Sequence, residues 1–277
     1  FHQKKKFKDK NFFKWIIKWI QKKNNQILLS LSNKYKYKIE LKKINKYRKF
    51  KYFKIFGMGG SCLGAQAIYF FLKKNIKKKF EFLNDIDLSK NQKFKNKQLN
   101  IIISKSGNTL ETLVNLNSEK IKKNCLFITE NKKNYLRTLG LKLKSEIIEH
   151  NNLIGGRYSV LSETGMIPAF FMGLDPRKFK RLDNLIRSKK FINYLTHNVS
   201  SMLSFHQNNK NNSIILNYDN ASNNLFFWYQ QLVAESLGKS SKGLLPIISN
   251  VPRDNHSLMQ LYLDGFKKNF YTFFYVN

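Results

Sequence analysis

From residue 52 onward the chain repeats one unit: a short apolar run, a turn rich in glycine, serine or asparagine, then a stretch of helical period. Residues 52–56 lead into Gly57-Met58-Gly59-Gly60-Ser61 and a helix expected over 63–72. Residues 99–103 lead into Ser104-Lys105-Ser106-Gly107-Asn108-Thr109 and a helix over 109–119. A third apolar run, 125–129, precedes a helix near 134–139, and 146–149 reads as a short fourth strand. Strand, turn and helix at this pitch imply βαβ units, so the expected class is α/β, with a parallel sheet covered by helices on both faces. Ligands of such sheets bind at the carboxyl ends of the strands.

The pattern restarts after a helical stretch from 168 to 204: strand 213–218, helix 221–236, strand 244–248, helix 256–266, strand 270–276. Four parts follow: 1–50, a helical segment packing on the core; 51–167, a first α/β domain; 168–194, a helical bridge; and 195–277, a second α/β domain that stops at Asn277. The start at Phe1 reads as the edge of a fragment.

In residues 11–20, Phe12, Phe13, Ile16, Ile17 and Ile20 follow helical spacing, with Lys14, Lys18 and Lys22 on the remaining surface. A basic amphipathic helix can lie on a membrane, but packing against the core is its ordinary use and the one expected here. Residues 34–50 interleave lysines and aromatics and read as a solvated helix and linker. Lys+Arg 51 against Asp+Glu 17 gives +34, which keeps nucleic acid and anionic surfaces in view. The lysines are scattered along the whole chain, as compositional drift toward A/T-rich codons would leave them. No helix-turn-helix, RNP, KH or zinc pattern accompanies them, so no specific nucleic-acid partner is expected.

The cysteines, Cys62 and Cys125, are far apart in sequence and suggest neither a disulfide framework nor a metal knuckle. A reducing cytoplasm fits. No apolar run approaches the roughly 18–20 residues of a membrane-spanning helix, and the first residues lack the grammar of a signal peptide. A soluble cytoplasmic protein with no membrane partner is expected.

The chemistry concentrates in the turns. The glycines at 57, 59 and 60 let the backbone turn tightly and approach an anion, while Ser61 offers a hydroxyl at the start of a helix. A dinucleotide fingerprint wants glycines at another spacing and an acidic residue about 20 positions on; Gly57, Gly59 and Cys62 break that spacing, so no nucleotide cofactor is expected and no metal site is indicated. The second turn places Ser104, Ser106 and Thr109 with free backbone N–H groups before a helix, which suits a phosphate monoester backed by the helix dipole. A plainer explanation is a helix cap, because Asn108 followed by Glu111 imitates a capping box; that accounts for neither Ser104 nor Ser106.

In this order after successive strands, GMGGS and SKSGNTLET resemble the sugar isomerase domain. Gly155-Gly156-Arg157-Tyr158-Ser159-Val160-Leu161-Ser162 resembles the GGR-aromatic-Ser signature of the glucose-6-phosphate isomerase family. Ala234-Glu235-Ser236-Leu237-Gly238-Lys239 and Arg253-Asp254-Asn255-His256-Ser257-Leu258-Met259-Gln260 follow in that family's order. Glu163 and Thr164 depart from it, standing where small or apolar residues are often seen. The resemblance implies two sugar isomerase-type parallel-sheet αβα sandwich domains, the second truncated, and an aldose–ketose isomerase of glucose 6-phosphate and fructose 6-phosphate that needs no cofactor. It also implies a homodimer with shared active sites.

Moving a proton between C1 and C2 of a sugar phosphate needs a carboxylate base and a cation to hold the enediolate. The resemblance assigns these roles to Glu235 and Arg157, ring opening across a dimer interface to His256, phosphate binding to Ser61, Ser104, Lys105, Ser106 and Thr109, and substrate contact to Gly60 and Gly156. Glu235 follows the apolar residues Phe226, Phe227, Leu232 and Val233 of its helix, where partial burial would raise a carboxyl pKa. Its plainer use is an exposed pair with Lys239 at i+4. The family's last signature supplies a lysine for ring opening and a glutamine near the phosphate; the chain ends before it, and no internal lysine takes that role. A non-catalytic sugar-phosphate-binding regulator on the same domain would keep Ser61, Ser104, Ser106 and Thr109 without needing Glu235 or His256.

Overall fold

The computed structural model describes residues 25–86 and 98–276. The amphipathic helix expected at 11–20 lies outside the described residues. Short helices α1 (Gln26–Ser30) and α2 (Leu41–Ile44) precede a parallel sheet of strands β1 (Tyr52–Phe56), β2 (Lys79–Leu83), β3 (Gln98–Ile103), β4 (Cys125–Thr129) and β5 (Glu146–Glu149), in the order β2-β1-β3-β4-β5. Helix α3 (Leu63–Phe71) follows β1, α4 (Leu110–Ser118) follows β3 and α5 (Tyr135–Lys142) follows β4.

The largely apolar runs are explained by burial on both faces, the normal state of a parallel sheet. Alternate residues divide the core as a strand's period of two requires. Phe53, Ile55, Leu99, Ile101, Ile103, Leu126 and Ile128 pack on one side with Ala65, Ile68, Met166, Ile167 and Phe171. Phe56, Ile102, Cys125 and Phe127 pack on the other with Leu116 and Leu136.

Strand β2 is absent from the sequence reading, although its residues Lys79-Phe80-Glu81-Phe82-Leu83 alternate as an edge strand should. Phe80 stacks on Phe53 with ring centroids 4.6 Å apart, which docks the edge to the core. The stretch 34–50 is likewise more than solvated linker. Tyr35 and Ile44 are buried, and Tyr37, Leu41, Tyr47 and Phe50 pack on the core. Tyr35 donates to Glu163 Oε2 at 2.8 Å, the Lys38 amide donates to Oε1 at 2.8 Å, and the buried Lys180 ammonium lies 4.4 Å from the Tyr35 ring centroid. Burial pushes the Lys180 amine down to about 8, against the pull of Glu163. The departure at Glu163 thus has a local cause: its carboxylate receives the N-terminal segment.

Glu163 opens helix α6 (Glu163–Phe171), which passes through Pro168. Then come α7 (Leu182–Arg187) and α8 (Lys189–Gln207), the latter capped by Ser188. The second, smaller sheet has strands β6 (Asn212–Asn217), β7 (Leu245–Asn250) and β8 (Asn269–Phe274), parallel and ordered β7-β6-β8. Between β6 and β7 runs α9 (Asn223–Leu237), which packs on both α3 and β7 and so ties the second sheet to the first. The single helix expected at 256–266 is instead two, α10 (Arg253–Ser257) and α11 (Met259–Asp264), broken at Leu258. Among the described residues no helix is long and apolar enough to cross a membrane.

One ion pair crosses the first sheet's packing. Lys54 of β1 is 4% exposed and its ammonium meets Glu119 Oε1 at 2.5 Å, at the end of α4, with Glu81 of β2 at 3.6 Å. Removing one partner of a buried pair strands the other charge and costs about 3–5 kcal/mol. Glu81 remains as a weaker partner, so Glu119→Leu is expected to destabilise by about 3 kcal/mol in urea denaturation. The double variant Lys54→Met/Glu119→Leu should recover most of that loss.

Candidate active site

In the order β2-β1-β3 the chain leaves β1 toward one edge and returns to β3 on the other side, which makes the gap between β1 and β3 the switch point where α/β sheets hold ligands. Both glycine- and serine-rich turns open there. The turn after β1 tightens into a 3₁₀ turn, Gly59–Ser61, before α3. A Cβ on Gly57 would lie 3.1 Å from the Ile103 carbonyl oxygen, at the end of β3, so the two turns are adjacent. A Cβ on Gly60 would lie 2.2 Å from the Gly156 carbonyl carbon and 2.5 Å from the Arg157 amide nitrogen. Only glycine at 60 allows the two backbones to touch, and this contact delivers Arg157 to the switch point.

The second turn gathers its hydroxyls. Ser104 Oγ lies 2.7 Å from Thr109 Oγ1 and 3.5 Å from Ser106 Oγ. The amides of Gly107 and Asn108 donate to Ser104 Oγ and Ser106 Oγ at 3.1 and 3.2 Å. Gly107 has φ +69, and a Cβ there would overlap Asn134 Oδ1 at 2.0 Å, so glycine is required on both counts. The capping-box alternative is corrected: Thr109, not Asn108, is the N-cap of α4, and the Thr109 side chain makes no capping hydrogen bond. Asn108 Oδ1 instead accepts from the Tyr135 amide at 3.0 Å, tying the turn to α5. The Ser–Thr cluster therefore faces an uncapped helix start, whose first amides and dipole favour an anion.

Lys105 is turned aside. Its ammonium donates to the Asn152 carbonyl at 2.7 Å and stands 3.7 Å from Glu130 Oε1. Glu130 also pairs with Lys132 at 2.5 Å. Burial works against the Glu130 carboxylate, but Lys132 and Lys105 outweigh it and hold the carboxyl below its usual range. His150, buried nearby, donates from Nδ1 to the Asn151 carbonyl at 3.0 Å, and burial lowers its pKa.

Arg157 rides on the 3₁₀ turn Gly156–Leu161, which Val160 wedges against Gly64 of α3. Its Nη1 donates to Glu235 Oε1 at 2.7 Å and its Nε to Ser236 Oγ at 2.9 Å. Gln231 Nε2 donates to the other carboxylate oxygen of Glu235 at 3.2 Å. The partial burial expected for Glu235 is corrected: its side chain is 51% exposed, against 17% for Arg157. The ion pair it forms is with Arg157, not with the i+4 lysine, because α9 turns this face toward the 3₁₀ turn. Burial alone would raise the Tyr158 phenol, but its hydrogen bond with Ser236 and the Arg157 charge outweigh this and bring it below the usual tyrosine value.

His256 stands apart from these residues: it is exposed on α10, with no hydrogen bond or ion pair among the described residues. Ser61 is half-buried in the first turn. Gln231 was missed by the sequence reading, although its place four residues before Glu235 on a helix puts the two side chains side by side. Ser236 and Tyr158 lie within the two sequence motifs, at 234–239 and 155–162, and the sequence alone gives them no role. Among the described residues no group of His, Cys, Asp and Glu side chains could hold a metal ion. What the site offers is a hydroxyl-lined helix start for a dianion, beside an arginine to hold an oxyanion and an exposed carboxylate to accept a proton.

The chain is similar to known proteins in sequence and in fold. A family model described as phosphoglucose isomerase matches residues 46–244. Glucose-6-phosphate isomerase of Methanocaldococcus jannaschii is 33% identical over 246 residues, covering 79% of this chain and 58% of that protein. The Campylobacter jejuni enzyme of the same name is 32% identical, covering 78% of this chain and 58% of that one. The chain thus spans little over half the length of these relatives. Among solved structures, a hypothetical protein from Thermus thermophilus superposes with a TM-score of 0.73 at 20% identity, over 95% of this chain and 69% of that one. Glucose-6-phosphate isomerase from Chlamydia trachomatis gives 0.58 at 20% identity, over 83% and 50%. These two show the fold.

The contact between glycines is open to a direct test. Gly60→Ala forces a methyl against backbone that cannot rotate away, and overpacking of this kind costs about 1–3 kcal/mol. Gly156→Ala meets only the Gly60 Cα, at 3.9 Å, an ordinary contact. Thermal denaturation is expected to show a clear loss for the first variant and little for the second.

Proposed function

The chain belongs to the phosphoglucose isomerase family, and from that premise we propose that it interconverts glucose 6-phosphate and fructose 6-phosphate by proton transfer through an enediolate. The observation that carries this reading is the Arg157–Glu235 pair, 2.7 Å apart, set beside the two glycine turns at the sheet's switch point. The phosphate sits on Ser104, Ser106 and Thr109 at the start of α4, with Ser61 assisting from the first turn. Lys105 contributes its charge from beside the loop. Gly60 and Gly156, in backbone contact with each other, offer the sugar main-chain surface beside Arg157. Glu235 takes the proton from C2 of the open-chain aldose and returns it to C1, while Arg157 neutralises the oxyanion that forms between the two events. A regulator that only binds sugar phosphate has no use for this carboxylate and guanidinium.

The same reading gives His256 the ring-opening step in a neighbouring subunit of a homodimer, supported by its exposure and its lack of hydrogen-bonding partners among the described residues. It divides the chain into a helical segment, 1–50, two sugar isomerase-type units, 51–167 and 195–277, and a bridge, 168–194. It places the protein in the cytoplasm, where its sugar phosphates are found.

Phosphate binding is checked by titration calorimetry with fructose 6-phosphate. Replacing Ser104 and Thr109 together by alanine removes two hydrogen bonds to a charged group and should weaken affinity by about 2–4 kcal/mol. Unchanged affinity would put the phosphate elsewhere.

Glu235→Gln keeps shape and hydrogen bonding but cannot accept a proton, so it should lower turnover about 10²- to 10⁴-fold with little change in binding. The measurement is exchange of the substrate C2 hydrogen with solvent. A loss smaller than about tenfold would remove Glu235 from the role.

A further inference from the structure

The Arg157–Glu235 pair sets a chemical problem that the isomerase reading, on which this inference rests, must solve. A carboxylate held by a guanidinium at 2.7 Å is poorly placed to accept a proton from carbon, and the Nη1 donor so occupied is not available to an oxyanion. Both must be freed when substrate arrives, yet Arg157 has to stay at the site.

The other contacts of Arg157 divide its side chain into a held end and a free end. Nε donates to Ser236 Oγ at 2.9 Å. Ser236 Oγ lies 2.7 Å from the Tyr158 hydroxyl. The Arg157 guanidinium carbon stands 4.5 Å from the Tyr158 ring centroid, so one face of the fork is covered as well. Behind it, Trp228 Nε1 donates to the Arg157 carbonyl at 3.1 Å and fixes the backbone. The Nη end is engaged by Glu235, the group that must let go. Ser236 follows Glu235 in the chain, so the pivot and the base ride on the same last turn of α9.

We propose that Ser236 is a positioning residue whose hydroxyl holds Arg157 Nε as a pivot, while the substrate's C1 carbonyl oxygen replaces Glu235 at Nη1. The exchange releases Glu235 as a base and leaves the arginine on the oxygen where negative charge develops as the C2 proton is removed. Tyr158 completes the pivot by covering the guanidinium and holding the serine hydroxyl from its other side.

The test uses two probes with the same phosphate end: a six-carbon sugar acid 6-phosphate, whose C1 carboxylate imitates the enediolate, and a six-carbon sugar alcohol 6-phosphate, neutral at C1. Ser236→Ala should weaken binding of the sugar acid about tenfold, the worth of one hydrogen bond to a charged group, and change the sugar alcohol by less than about twofold. Ser236→Thr, which keeps the hydroxyl, should restore the acid's affinity, and Tyr158→Phe should give a smaller selective loss. In turnover, Ser236→Ala should lower kcat with KM little changed, the mark of an interaction made in the transition state. Equal weakening of both probes, or no weakening of the acid, would overturn the pivot while leaving the isomerase reading intact. Failure of the unmodified chain to bind either probe would overturn the isomerase reading and the pivot with it.

Discussion

The backbone contact between Gly60 and Gly156 is the constraint on which the site depends. Two turns that are remote in sequence touch there without side chains between them, since even one methyl would sit 2.2 Å from a carbonyl carbon. The contact fixes the height of the Gly156–Leu161 turn above the sheet, and with it the origin of the Arg157 side chain. Helix α9 then supplies Glu235 and Ser236 to that arginine because α9 lies against α3, whose own start is set by the same first turn. Phosphate loop, cation and carboxylate are thus all measured from one switch point between β1 and β3.

Buried charge supports this frame in two places, and in each it joins elements the apolar core alone would leave loosely registered. Lys54 links β1 to the end of α4 and to the edge strand β2. Lys180 and Glu163 receive the segment around Tyr35 and hold it against the start of α6. Taking an ammonium out of water is costly, so such groups persist only where carbonyls, carboxylates or aromatic faces replace the lost hydration. The Lys180 ammonium has all three nearby: the Ser30 carbonyl at 2.5 Å, the Leu161 carbonyl, the rings of Tyr35 and Tyr37, and the charge of Glu163. The large positive charge of the chain is therefore not uniformly idle, although most lysines among the described residues remain at least partly exposed.

What could be read from the sequence was local. Largely apolar runs announce β1, β3 and β4, because strands buried on both faces need no alternation, and the glycine and serine turns after β1 and β3 announce where a ligand would bind. The edge strand β2 is hard to read because Phe80 and Phe82 alternate with Lys79 and Glu81 in a short run that follows a lysine-rich stretch. The helix 256–266 was overdrawn because apolar spacing continues across Leu258 while the backbone does not.

Chain order and residue type by themselves determined the α/β class, the two sheets and the identity of the candidate residues, since these follow from periodicity and from turns only a few residues long. Tertiary structure alone decided how those residues are used. Asn108 imitates a cap but serves an amide 27 residues away, and Glu235 sits on an apolar helix yet is exposed and paired with an arginine 78 residues earlier. Hydrogen-bond partners at such separations are chosen by how helices and turns pack, and no local period encodes that distance. Ser236 shows the same division: its identity is written beside Glu235, while its hold on Arg157 exists only once α9 and the Gly156–Leu161 turn are brought together.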